Sequence, residues 1–90
     1  MISVTERAKR ELRKLLVENV DWPEARLRLL DRGEGVFGIG VDIEMPGDYI
    51  VECDDKRVLV IEPGLATNFN NITLDVDETP EGTELVIDYA

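Results

Sequence analysis

Few side chains in this 90-residue sequence could do chemistry, and most of those are carboxylates. Asp42 and Glu44 stand two residues apart, as do Asp75 and Asp77, so each pair would share one side of a strand and offer oxygen ligands to a hard divalent cation. Asp75, Asp77 and Thr79 even have the one-three-five spacing of a calcium loop, but Pro80 fills the slot that requires glycine. The one thiol, Cys53, sits among Glu52, Asp54 and Asp55, acidic neighbours that oppose formation of the thiolate. Gly33-Glu34-Gly35-Val36-Phe37-Gly38 matches the G-x-G-x-x-G string of dinucleotide sites. That site needs a helix to begin there, because free N–H groups at the helix start hold the pyrophosphate. Ile39 to Met45 instead alternates with period two, so the string reads as a glycine-rich turn between strands.

The absence of histidine narrows the chemistry further. Serine and cysteine triads need an imidazole, and a single thiol cannot build a Cys₄ zinc site or hold an iron–sulfur cluster within one chain. Acid–base catalysis would rest on carboxylates and two tyrosines, so a non-enzyme is expected. Residues 1–32 carry eight basic and six acidic side chains; residues 33–90 carry two and fourteen, which gives the second part −12 of the chain's −10 net charge. Such a surface repels phosphates and argues against nucleic acid as a partner. It provides solubility, or a docking surface for a basic partner protein. The apolar runs are too short for a membrane helix, the start has no signal-peptide core, and a lone cysteine fits a reducing compartment, so a cytoplasmic protein is expected.

The elements that must position these residues follow from periodicity. Val4, Ala8, Leu12, Leu15 and Leu16 recur at steps of three and four, which predicts an amphipathic helix over about residues 5–18, with Thr5 as N-cap and Trp22-Pro23 beyond its end. Leu27 and Leu29 share one side of a strand. Ile39, Val41, Ile43 and Met45 alternate with Gly40, Asp42 and Glu44, the pattern of a half-buried strand with a carboxylate-lined outer face. Pro46-Gly47-Asp48 and Asp54-Asp55 are turn signals, and Arg57–Ile61 is apolar enough for a strand covered on both faces. A short helix is expected near 64–69, then strands around Ile72–Asp77 and Leu85–Tyr89. The reading is a single α+β domain over residues 1–90, with the N-terminal helix packed on mainly antiparallel short strands in two small sheets.

With the elements in this order, the chain resembles the HesB/IscA family of A-type iron–sulfur carriers along nearly its whole length. The opening Ile2-Ser3-Val4-Thr5-Glu6-Arg7-Ala8 and the helix behind it are similar to the family's start. Leu27-Arg28-Leu29 resembles the strand leading to the first ligand loop, and Leu74-Asp75-Val76 resembles a late strand motif. Gly35-Val36-Phe37-Gly38 lies where the family carries Gly-Cys-Ser-Gly. The family grips iron or a cluster through that loop cysteine and two more in a Cys-Gly-Cys tail. Here the loop position is Val36, which has no donor atom; the sequence given ends at Ala90 without such a tail, and Cys53 aligns with neither site. The resemblance therefore implies the fold, no bound cofactor and no metal ligands, and suggests a protein-binding accessory of iron–sulfur metabolism with a homodimer as the implied assembly. Two other readings compete with it. One is a divalent-metal protein using Asp42, Glu44, Asp75 and Asp77; the other is a small-ligand site between helix and sheet, lined by Phe37 and Tyr89.

Overall fold

The computed structural model describes residues 2–34, 36–69 and 71–89. Strand β1 (Ser3–Val4) leads directly into helix α1 (Glu6–Asn19). Thr5 caps that helix: its backbone is extended and its Oγ1 accepts from the Ala8 N–H at 3.1 Å. Ala8, Leu12 and Leu16, the predicted stripe, are the buried residues of α1. The helix ends after Asn19, where Val20 is already extended and Asn19 Nδ2 donates to the Leu15 carbonyl.

Among the described residues, seven strands form two sheets. The larger contains β2 (Ala25–Asp31), β3 (Phe37–Ile43), β4 (Tyr49–Cys53) and β5 (Lys56–Ile61), in the order β3-β2-β5-β4. The smaller orders β1, β6 (Ile72–Thr79) and β7 (Gly82–Tyr89) as β1-β6-β7. Neighbouring strands run antiparallel except β2 with β5 and β1 with β6. Helix α2 (Pro63–Asn68) begins with proline, whose fixed φ suits the first helical turn, and it joins β5 to the second sheet.

Helix α1 packs against β2, β4, β5 and β6, so the core lies where both sheets meet the helix. Leu12, Val58, Leu59, Val60, Ile61, Ile72 and Leu74 are its largest fully buried side chains. The continuous burial of β5 agrees with its uninterrupted apolar run; it is an inner strand with both faces covered. The connection from β3 to β4 crosses from one edge of the sheet to the other. Pro46 and Gly47 (φ +87°) form its turn, closed by the Asp48 N–H donating to the Met45 carbonyl at 3.1 Å.

Strand β3 departs from expectation. The alternation predicts a half-buried strand with its apolar side inward; Phe37 and Ile39 do pack against the core, yet Val41 is 55% and Ile43 39% exposed. Both share the side of Leu27 and Ala25, their register partners on β2 and part of the core. However, β3 is the sheet edge and α1 packs on the other strands, so the alternation marks a shelf projecting past the core.

Candidate functional site

The glycine-rich turn joins β2 to β3, as its period-two sequel predicts, and no helix starts after Gly38. Gly35, the first glycine of the string that resembles the family's ligand loop, lies outside the described residues. The rest of the turn is tied by its own backbone. The Arg32 N–H donates to the Val36 carbonyl at 2.8 Å, and the Val36 N–H to the Gly33 carbonyl at 3.0 Å. The Gly33 N–H in turn donates to Asp31 Oδ1 at 2.8 Å. Gly33 (φ +90°) and Glu34 (φ +55°) are in the left-handed region, where glycine is at ease and glutamate strained. This places the Val36 side chain outward, 56% exposed. Phe37 turns inward, edge-on to Phe69 with ring centroids 5.2 Å apart.

At Gly38 a Cβ atom would stand 2.5 Å from Arg32 Nε, so the arginine side chain lies across the space this glycine leaves open. Phe37, Gly38 and Ile39 also border a cavity of about 50 Å³ between the sheets, with Leu29, Leu74, Leu85 and Ile87 on its other walls. Tyr89, the second residue of the small-ligand reading, does not line this cavity, which is well below the roughly 300 Å³ or more of pockets for drug-sized ligands.

The four carboxylates expected to share a cation are not brought together. Asp42 stands on β3 and Glu44 just beyond it, while Asp75 and Asp77 stand on β6 of the other sheet. Three of the four are already engaged. Asp42 accepts from Arg28 Nε at 2.8 Å, Glu44 from Arg57 at 2.8 Å, and Asp75 from the Thr5 hydroxyl at 2.7 Å. Among the described residues, no three or more carboxylate, thiol or imidazole groups are placed to hold a metal ion. The Ile43 N–H and then Arg28 hold the Asp42 carboxyl below the usual range; the Thr5 hydroxyl, the Val76 N–H and Arg7 do the same for Asp75.

The tightest polar constellation was not foreseen from sequence. Arg28, on the outer side of β2, donates from Nη2 to Asp48 Oδ2 at 2.6 Å and from Nη1 to Oδ1 at 3.3 Å. It also reaches Asp42 and donates to the Ile43 carbonyl at 3.1 Å. The Asp48 side chain is 3% exposed and accepts the Met45 N–H at 2.8 Å as well. Arg28 first, then the Met45 N–H, hold its carboxyl below the ordinary value despite burial; Arg28 itself is pushed up, chiefly by Asp48. The cluster pins the β3–β4 crossover to β2. Its groups saturate one another, so it is a structural fastener. Cys53 lies at the end of β4, the sheet edge opposite β3, and is 7% exposed.

Comparison with known proteins places this architecture. No family profile matches the chain. An uncharacterized protein in the nifU 5′ region of Cereibacter sphaeroides is 36% identical over 98% of this chain and 86% of its own length. Among solved structures, SufA of Escherichia coli, described as involved in biosynthesis of iron–sulfur clusters, superposes with a TM-score of 0.70 at 16% identity over 98% of this chain and 84% of its own. IscA with its [2Fe-2S] cluster gives 0.64 at 17% identity over 99% and 85%, and an Aquifex aeolicus protein solved by NMR gives 0.65 at 26% over 99% and 91%. The fold is that of IscA and SufA, and the chain belongs to the HesB/IscA-like family.

Proposed function

We propose that this protein is a non-catalytic, cytoplasmic HesB/IscA-like accessory of iron–sulfur cluster biogenesis. It contacts a protein of that pathway, self-associates as a homodimer and does not itself ligate a cluster. The relation to cluster biogenesis is supported by the fold shared with IscA and SufA and by the relative from a nifU 5′ region. The observation that carries the rest is the ligand loop. Where the family places its first thiolate, Val36 presents an apolar side chain on a turn closed by its own backbone hydrogen bonds. Iron–sulfur clusters are held mainly by thiolates, and the one thiol is buried at the opposite edge of the sheet. A scaffold in that condition retains surface rather than metal chemistry, and its acidic surplus favours a basic face on the partner.

The test mixes this protein with an IscA-type carrier loaded with its [2Fe-2S] cluster and follows cluster absorbance through size exclusion. The proposal expects co-elution with the cluster still on the carrier. Transfer of the cluster to this chain would refute it, and separate elution across a range of salt concentrations would remove the carrier as partner.

A further inference from the structure

Strand β3 has β2 on one side and, among the described residues, no strand on the other. Edge strands are ordinarily shielded from pairing with other chains by lysine, proline, a bulge or extreme shortness. The remaining edges of this protein show such devices: β1 has two residues, β4 has a register shift between Val51 and Glu52, and β7 carries Glu84 and Asp88. Strand β3 carries one acid, Asp42, already paired with Arg28 of its own chain at 2.8 Å, and otherwise shows none of them. Its sequence FGIGVDI contains neither lysine nor proline, its pairing with β2 is unbroken from Phe37 to Ile43, and Val41 and Ile43 stand exposed on it.

We propose that β3 pairs antiparallel with β3 of a second copy, about a two-fold axis through Val41, so that one sheet runs across the dimer. This deepens the self-association put forward above and rests on it. An axis perpendicular to the sheet keeps every side chain on its own face, so the pairing follows from residue numbers alone. On the apolar face Val41 meets Val41, and Ile39 meets Ile43. On the other face Asp42 meets Gly40, so no carboxylate stands opposite another. Moving the axis by one residue to Asp42 would set that carboxylate against its own copy, which is destabilising.

The glycines take on a role in this register. Gly40 offers no side chain of its own where Asp42 of the second copy arrives, and the Leu30 side chain leans over it, its Cδ1 3.0 Å from where a Cβ would stand. Arg32 lies across Gly38, the diagonal neighbour of that same position, and among the described residues it has no carboxylate within ion-pair distance. A guanidinium is thus available for the incoming Asp42. The net charge of −10 per copy opposes the approach of two chains, and this pairing meets it by keeping acids off one another and setting a cation beside them.

Sedimentation velocity of the full chain over a wide concentration range tests the proposal. Wild type should dimerise, Val41→Lys should remain monomeric at every concentration, and Arg32→Glu should raise the concentration needed for dimer. Circular dichroism checks that the variants are folded. The register is tested separately in a Cys53→Ser background, where Val41→Cys should form an intermolecular disulfide on mild oxidation and Val36→Cys, also exposed, should not. Residues opposite each other across antiparallel strands lie about 4.5–5.5 Å apart at Cα, within disulfide reach. A wild type monomeric throughout would overturn both the self-association and this surface. A dimer that survives Val41→Lys, or crosslinks equally through Val36→Cys, would overturn the surface alone. Neither result touches the question of cluster ligation, which is read by iron content.

Discussion

Replacing Asp48 with asparagine removes one charge and almost no volume, so it isolates the Arg28–Asp48 pair. In the native chain Asp48 accepts two hydrogen bonds from Arg28, the shorter at 2.6 Å, and a third from the Met45 N–H at 2.8 Å. Asparagine keeps one acceptor oxygen but turns an N–H₂ toward the guanidinium, leaving Arg28 facing a donor. Truncating one partner of a fully buried pair costs about 3–5 kcal/mol. Here Arg28 keeps Asp42 and the Ile43 carbonyl, so we expect a loss of about 2 kcal/mol, the range of a charged hydrogen bond. For a domain of this size that corresponds to a fall in Tm on the order of 10 °C. Urea unfolding followed by Trp22 fluorescence and circular dichroism measures it.

The pH dependence carries the same signature. Because the Asp48 carboxyl is held below its ordinary value of 3.8, its stabilisation is fully present above that value and drains away as pH falls through the lowered one. Wild type should therefore lose stability in that acid window more steeply than Asp48→Asn. Adding Arg28→Met to Asp48→Asn should cost less than the two single changes summed, by about 1 kcal/mol or more. A single-variant loss under about 0.5 kcal/mol, with no coupling and an unchanged acid slope, would refute the reading of the pair as the fastener of the crossover.

The other predictions concern single sites. Thr5→Ala removes both the N-cap of α1 and the hydrogen bond to Asp75, and should cost about 1–2 kcal/mol by thermal melting. Leu59→Ala opens a hole beside a fully buried inner strand and should cost about 3–4 kcal/mol in the same measurement. Asp54 (φ +51°) and Asp55 (φ +65°) both occupy left-handed backbone in the β4–β5 turn, so Asp55→Gly should stabilise by about 0.5–1 kcal/mol. Cys53 should react with a thiol reagent only after denaturant is added, and rapid modification of the native protein would contradict its burial.

Much of the fold is written in local patterns. The stripe Ala8-Leu12-Leu16, the Thr5 cap and the unbroken apolar run of β5 each follow from one segment's own periodicity, and each lies where that periodicity puts it. What escaped was decided between segments. The Val41 and Ile43 alternation looks like any half-buried strand, and only the position of β3 at the sheet edge exposes it. Arg28 has the spacing of a solvated outer residue. It is half-buried because the crossover carrying Asp48 returns over that face, which no signal near Arg28 announces. The carboxylates have cation-like spacing along the chain, yet strand order sends them to separate sheets and arginines occupy several of them. The turn between β2 and β3 is legible because its information is local: Gly33 takes left-handed backbone, and the period-two alternation after Gly38 continues as a strand.

Anaerobic reconstitution with ferrous iron and sulfide, followed by assay of iron and acid-labile sulfide per chain after desalting, tests the central claim most directly. The account predicts only traces of both and no visible charge-transfer absorbance, while an IscA-type carrier treated in parallel turns brown. Stoichiometric iron and sulfide retained on this chain would contradict it.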